Sequence, residues 1–167
     1  EEAGAAPPPG SRLAKSSKGL VVALGSLSRR ESEAVSRHLT GLVELDRVTG
    51  GGIVPGSAIL IGGEPGIGKS TLLLQMAAAQ AAAGATVLYV SAEESRQQVK
   101  LRAERLGSLP SGLWLVSSTS VPELLAHVAD LGPDVLVVDS IQTVFDPVLS
   151  SAPGSVSQVR ESAHRFT

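Results

Sequence analysis

The chain has 167 residues, enough for one domain with a real core, and a formal net charge of -2, which supplies no bulk attraction to nucleic acid or acidic lipid. It has no cysteine, which excludes disulfides and thiolate metal sites, and only four Phe, Tyr and Trp residues, too few for an aromatic platform that stacks single-stranded bases.

Residues 1 to 19, "EEAGAAPPPGSRLAKSSKG", are rich in Ala, Pro, Gly and Ser with scattered charge and read as a flexible linker. Residues 20–167 then form the ordered part. "LVVALGSLSRR" supplies a short strand, and "ESEAVSRHLTGLVELDRVTGGG" a polar connection leading to a short helix that stops at Gly50, Gly51 and Gly52. From Ser57 onward, apolar runs alternate with segments of helical composition: "AILIG" (58–62), "TVLYVS" (86–91), "LWLVSS" (113–118) and "VLVVDS" (135–140). Helices are expected over Lys69 to Ala83, Glu93 to Leu106 and Val121 to Leu131, followed by Gly84, Gly107 and Gly132 where a left-handed residue ends a helix. This alternation predicts an α/β fold with a mostly parallel sheet. Because the strands are apolar at nearly every position, helices should cover both faces.

Gly63-Glu64-Pro65-Gly66-Ile67-Gly68-Lys69-Ser70 fits the P-loop pattern, between a predicted strand and a predicted helix, with Thr71 completing the turn. A triphosphate is bound mainly by successive backbone N–H groups, which side chains on the loop would obstruct. The following helix adds its free N–H groups and the positive end of its dipole. Lys69 is placed to reach the β and γ phosphates of ATP, and the Ser70 hydroxyl to ligate Mg²⁺. Asp139, at the carboxyl end of "VLVVDS", fits a Walker B acid that holds Mg²⁺ through its water shell, or alternatively a capping residue. Glu93 and Glu94 leave the second strand at the same sheet edge. Either one of them activates the attacking water, or both are ordinary acids at a helix start behind Ser91. Gln142 and Thr143 either sense the γ-phosphate or are polar loop residues. Trp114 reads as core, and Lys100, Arg102 and Arg105 as a solvated helix face paired with Glu104. His38, His127 and His164 lack ligand spacing.

No uninterrupted apolar run reaches the length of a membrane span, and the chain opens on two glutamates instead of a basic, then apolar, leader. The expectation is a cytoplasmic protein. The missing initial Met, and an ending "ESAHRFT" inside a predicted helix, suggest a piece of a longer chain.

From about Leu39 to Glu161 the sequence resembles the bacterial RadA/Sms DNA-repair ATPases, a RecA-like group related to replicative ring helicases. The resemblance is carried by "LTGLVELDRVTGGGIVPGSAILIGGEPGIGKSTLLLQ", "VLYVSAEES", "QVKLRAERLG", "VLVVDSIQTV" and "SAPGSVSQVRE". It implies a RecA-like P-loop NTPase that uses ATP and Mg²⁺ as a motor on single-stranded or branched DNA. It also implies branch migration of recombination intermediates, a hexameric ring and cooperation with a RecA-type recombinase. It matches Glu93 to the catalytic base of the group. Ala92 departs from the glycine that many members carry there. The group's four-cysteine zinc motif, its "KNRFG" motif and its Lon-protease-like domain have no counterpart in this sequence. In RecA-like folds the strand between the P-loop strand and the Asp139 strand comes later in the chain, so residues 20–167 read as the N-terminal part of such a domain. The sheet is then expected to be incomplete at that slot and the chain alone poorly active. KaiC-like ATPases, which act on protein partners, and nucleotide-binding modules without turnover are the alternatives.

Overall fold

In the computed structural model, residues 37–107 and 109–167 are described. The predicted linker and the predicted strand in "LVVALGSLSRR" lie outside them. At the start of the described part, His38 and Ile53 form an antiparallel bridge, with both N–H···O distances at 2.8 Å. Helix α1 (Val43–Val48) is the short helix expected before the glycines. Asp46 on that helix folds back to accept the Thr40 N–H at 2.7 Å, and Arg37 donates to the Thr49 and Gly52 carbonyls. Gly52 has to be glycine: its φ is +116°, and an added Cβ would stand 2.6 Å from the His38 carbonyl oxygen.

The core is a three-stranded parallel sheet in the order β2-β1-β3, with β1 at Val87–Ser91, β2 at Leu113–Val116 and β3 at Val135–Asp139. All five residues of β1 are buried, as a central strand with both faces covered requires. Val87 and Tyr89 point to one face, where they meet Leu74, Met76, Ala77 and Ala81 of helix α2 (Lys69–Ala82) and Val99 and Ala103 of helix α3 (Arg96–Arg105). Leu88 and Val90 point to the other, against Val121 and Leu124 of helix α4 (Val121–Leu131), with Val144 and Phe166 close by. Helix α5 (Val156–Phe166) completes that layer. The predicted α/β architecture with helices on both faces is present.

Three expectations are corrected. The run "AILIG" (58–62) is not a strand: it has irregular backbone, and Ile59 and Leu60 are 47% and 84% exposed. A strand exists only where a neighbour accepts and donates its backbone hydrogen bonds, and none of the described residues occupies the slot beside the outer edge of β3. Trp114 is not core, being 52% exposed on β2, which among the described residues is an edge strand paired with β1 alone. The helix predicted from Glu93 starts instead at Arg96. There Ser95 and Gln98 form a reciprocal capping box, so Glu93 and Glu94 stay in the preceding loop.

Candidate nucleotide site

The glycine-rich loop ends at Gly68, which is the N-cap of α2 and left-handed at φ +106°. Gly66 is also left-handed at φ +80°, and a Cβ on either would meet no atom within 4 Å. The glycines therefore serve backbone conformation and an open approach to the loop, as a phosphate cradle needs. The first backbone bond of α2 runs from the Leu72 N–H to the Gly68 carbonyl at 2.9 Å. The N–H groups of Lys69, Ser70 and Thr71 thus lie ahead of the ladder, at the positive end of the helix dipole. Lys69 extends back along the loop, its Nζ donating to the carbonyls of Gly63 at 2.7 Å and Glu64 at 2.9 Å. This curls Gly63 to Gly68 around the ammonium group. Glu64, Pro65 and Ile67 fill the exposed outer part of the same curl. The donor set fits a polyphosphate: backbone N–H groups, one cation and one hydroxyl, on a helix start with no acid in its first turn.

The sheet brings the acids to this loop. Asp139 ends β3 and is paired in register with Ser91, the last residue of β1. Its Oδ2 accepts a 2.6 Å hydrogen bond from the Tyr89 hydroxyl, and that hydroxyl oxygen lies 3.5 Å from the Ser70 carbonyl oxygen. The phenol thus donates to the Asp139 carboxylate, while its ring packs on α2. Tyr89 is 1% exposed, and burial first, then the hydrogen bond and charge of Asp139, push its phenol well above the usual tyrosine value. It remains a proton donor. The Asp139–Ser140 peptide is cis.

The two glutamates separate clearly. Glu94 is engaged by Arg102 of α3, and its backbone is tied to Ser91. Glu93 is exposed and accepts a hydrogen bond from the Ser140 hydroxyl, just past Asp139. The loop after β1 and the turn after β3 thus present one carboxylate to the open sheet edge and commit the other to a helix. Of the expected basic face of α3, Lys100 pairs with Glu104 at 3.8 Å, whereas Arg102 turns to Glu94. Gln142 is exposed and lines a groove with Gly154, Val156, Val159 and Arg160. Among the described residues it makes no side-chain hydrogen bond to the loop or to Asp139.

Comparison with known proteins agrees with this arrangement. Residues 38–111 match a family model described as "ATPase: KaiC". The chain is 56% identical to the DNA repair protein RadA of Streptococcus pneumoniae over 76% of its length, 51% identical to that of Brucella abortus over 87%, and 49% identical to that of Synechocystis over 90%. The chain belongs to the RadA family. It spans about a third of the length of these curated relatives, covering 30%, 32% and 33% of them. The shared part is the RecA-like fold with its P-loop, which in this member brings Asp139, Tyr89 and Ser70 together.

Tyr89 and Ser140 are site residues that sequence reasoning misses. A signal for Tyr89 exists: it is the one polar-tipped side chain inside an otherwise apolar central strand, and a buried phenol has to find an acceptor. Ser140 carries no comparable signal, because a serine after a strand is ordinary. No helix among the described residues is long and apolar enough to cross a membrane.

Proposed function

We propose that this chain is the nucleotide-binding part of an ATP-driven motor that acts on DNA in recombination and repair, with branch migration of recombination intermediates as its task. The observation that carries the reading is the P-loop at the start of α2 together with Asp139, whose carboxylate accepts from Tyr89, a residue packed on that same helix. Residues 20–167 would then be the N-terminal part of a RecA-like domain, and the similarity to DNA repair proteins RadA supports the direction of the assignment. Gly63, Glu64, Pro65, Gly66, Ile67, Gly68, Lys69, Ser70 and Thr71 hold ATP, with Lys69 on the β and γ phosphates. Ser70 and Asp139 would hold Mg²⁺. When bound, the metal neutralises charge on the transferring phosphoryl group. Glu93, held on Ser140 and free of the Arg102 pair, is the general base that orients and deprotonates water. Gln142, three residues after Asp139, is the proposed sensor of the γ-phosphate. A hexameric ring on single-stranded or branched DNA, working with a RecA-type recombinase in the cytoplasm, completes the proposal. With no strand among the described residues on the outer edge of β3, this chain alone is expected to turn over ATP slowly or not at all.

The test is steady-state ATP hydrolysis by the full-length natural protein with and without single-stranded DNA, using Lys69→Ala as the blank. Stimulation by DNA that vanishes in the blank supports the motor. The match to a model described as "ATPase: KaiC" favours a second reading, an ATPase acting on protein partners. Hydrolysis indifferent to DNA would select it. Nucleotide binding without any hydrolysis would select a binding module.

A further inference from the structure

The hydroxyl of Tyr89 is buried between two elements of the site, yet nothing in the P-loop chemistry itself calls for a phenol there. Tyr89 is opposite Val137 in the β1–β3 ladder, two positions before the Ser91–Asp139 pair, so its ring runs diagonally along the sheet face to the end of β3. The ring packs in the cluster formed by Leu74, Met76 and Ala77 of α2, which fixes its direction. One phenol proton serves one acceptor: Asp139 Oδ2 at 2.6 Å takes it, while the Ser70 carbonyl at 3.5 Å lies at the far limit. The carboxylate is thereby held by Oδ2, leaving Oδ1 as the oxygen for the water shell of a metal.

We propose that Tyr89 is a positioning residue, whose hydroxyl, aimed by the packing of its ring on α2, fixes the orientation of the Asp139 carboxylate and so sets the metal affinity of the nucleotide site. The inference rests on the nucleotide-site reading above. Partners of metal-directed carboxylates orient them, and their loss weakens metal binding about 10- to 100-fold.

The test uses the full-length protein, with Mn²⁺ standing in for Mg²⁺ and a non-hydrolysable ATP analogue. Bound Mn²⁺ is read by electron paramagnetic resonance, and nucleotide uptake in EDTA by fluorescence of a labelled analogue. In Tyr89→Phe, Mn²⁺ affinity is expected to fall about tenfold or more while nucleotide affinity in EDTA is unchanged. The Tyr89→Phe, Asp139→Asn double variant is expected to match Asp139→Asn alone, because the phenol acts through that carboxylate. Wild-type Mn²⁺ affinity in Tyr89→Phe overturns the proposal. So does an equal loss of metal and metal-free nucleotide binding, the mark of a folding defect, and so does a full extra loss in the double variant. A wild-type protein that takes up no Mn²⁺ with nucleotide would instead overturn the site reading, and the inference with it.

Discussion

Exchanging one carboxylate for an amide at Glu93 and at Glu94 separately tests the division of labour between the two neighbours. Glu94 is matched to Arg102, with side chains 32% and 30% exposed, so the pair is partly screened by solvent. Ion pairs in that setting contribute about 1 kcal/mol or less, and Glu94→Gln keeps the side-chain volume and a hydrogen-bonding oxygen. The backbone of Glu94 also stays tied to Ser91. Its effect on kcat should therefore be within about fivefold, the equivalent of 1 kcal/mol. Glu93 has no cation paired to it among the described residues and sits on the Ser140 hydroxyl at the open edge. An amide there cannot take a proton, and loss of a general base costs about 10²- to 10⁴-fold in rate. The assay is kcat for ATP in the full-length protein, with nucleotide affinity measured in parallel by a fluorescent analogue. Glu93→Gln is expected to lose turnover and keep binding. A Glu94→Gln loss equal to or larger than that of Glu93→Gln would refute the assignment and place the base on Glu94.

Two further perturbations test the scaffold. Gly52→Ala forces a side chain into a φ of +116° and drives its Cβ to 2.6 Å from the His38 carbonyl oxygen. It should cost more than about 1 kcal/mol locally and accelerate amide exchange at His38 and Ile53, whose bridge it pushes apart. Gln158→Ala removes the amide that accepts from the Asp146 N–H at 3.0 Å and donates to the Asp146 and Ser151 carbonyls at 3.1 and 2.9 Å. Both Gln158 and Asp146 are buried, so each abandoned backbone group costs about 1–3 kcal/mol, and peptides spanning residues 144–151 should lose hydrogen-exchange protection. Unchanged exchange in either variant would contradict the packing described.

The parts of this fold legible in the sequence are those whose signal is local. The runs at 86–91, 113–118 and 135–140 contain β1, β2 and β3, because buried parallel strands are continuously apolar and need no tertiary information to be noticed. The P-loop is equally plain, since its glycines at 66 and 68 sit where the backbone turns left-handed. Asp139 is legible as the acid ending a strand. The start of α3 is readable but easily misplaced: Ser95 with Gln98 three residues on is the stronger cap, and the glutamates after Ser91 draw the boundary too early. Trp114 is misjudged because an apolar run does not say whether its strand is central or at an edge. Which glutamate pairs with Arg102 is also out of reach, because it depends on how α3 leans over the loop after β1.

The unpaired segment at 58–62 shows how the two halves of the site are held by different means. Asp139 and Ser91 end strands locked into a ladder, so the acidic half is positioned by backbone hydrogen bonds. Among the described residues the P-loop has no paired strand in front of it and depends on the helix behind it, where Leu74, Met76 and Ala77 pack on the sheet and Gln80 donates to the Leu39 carbonyl. Side-chain packing fixes the axis of α2 and hence the direction of its free N–H groups. Ile59, Leu60 and Gly62 to Gly68 are exposed, so the front of the cradle is held chiefly by the Lys69 hydrogen bonds to the Gly63 and Glu64 carbonyls. A strand added on the outer edge of β3 would close a ladder onto residues 58–62 and fix the front of the loop as firmly as its back. The cost of ordering the loop would then fall before nucleotide arrives. On the proposed reading, pairing of 58–62 would steady the phosphate loop relative to Glu93.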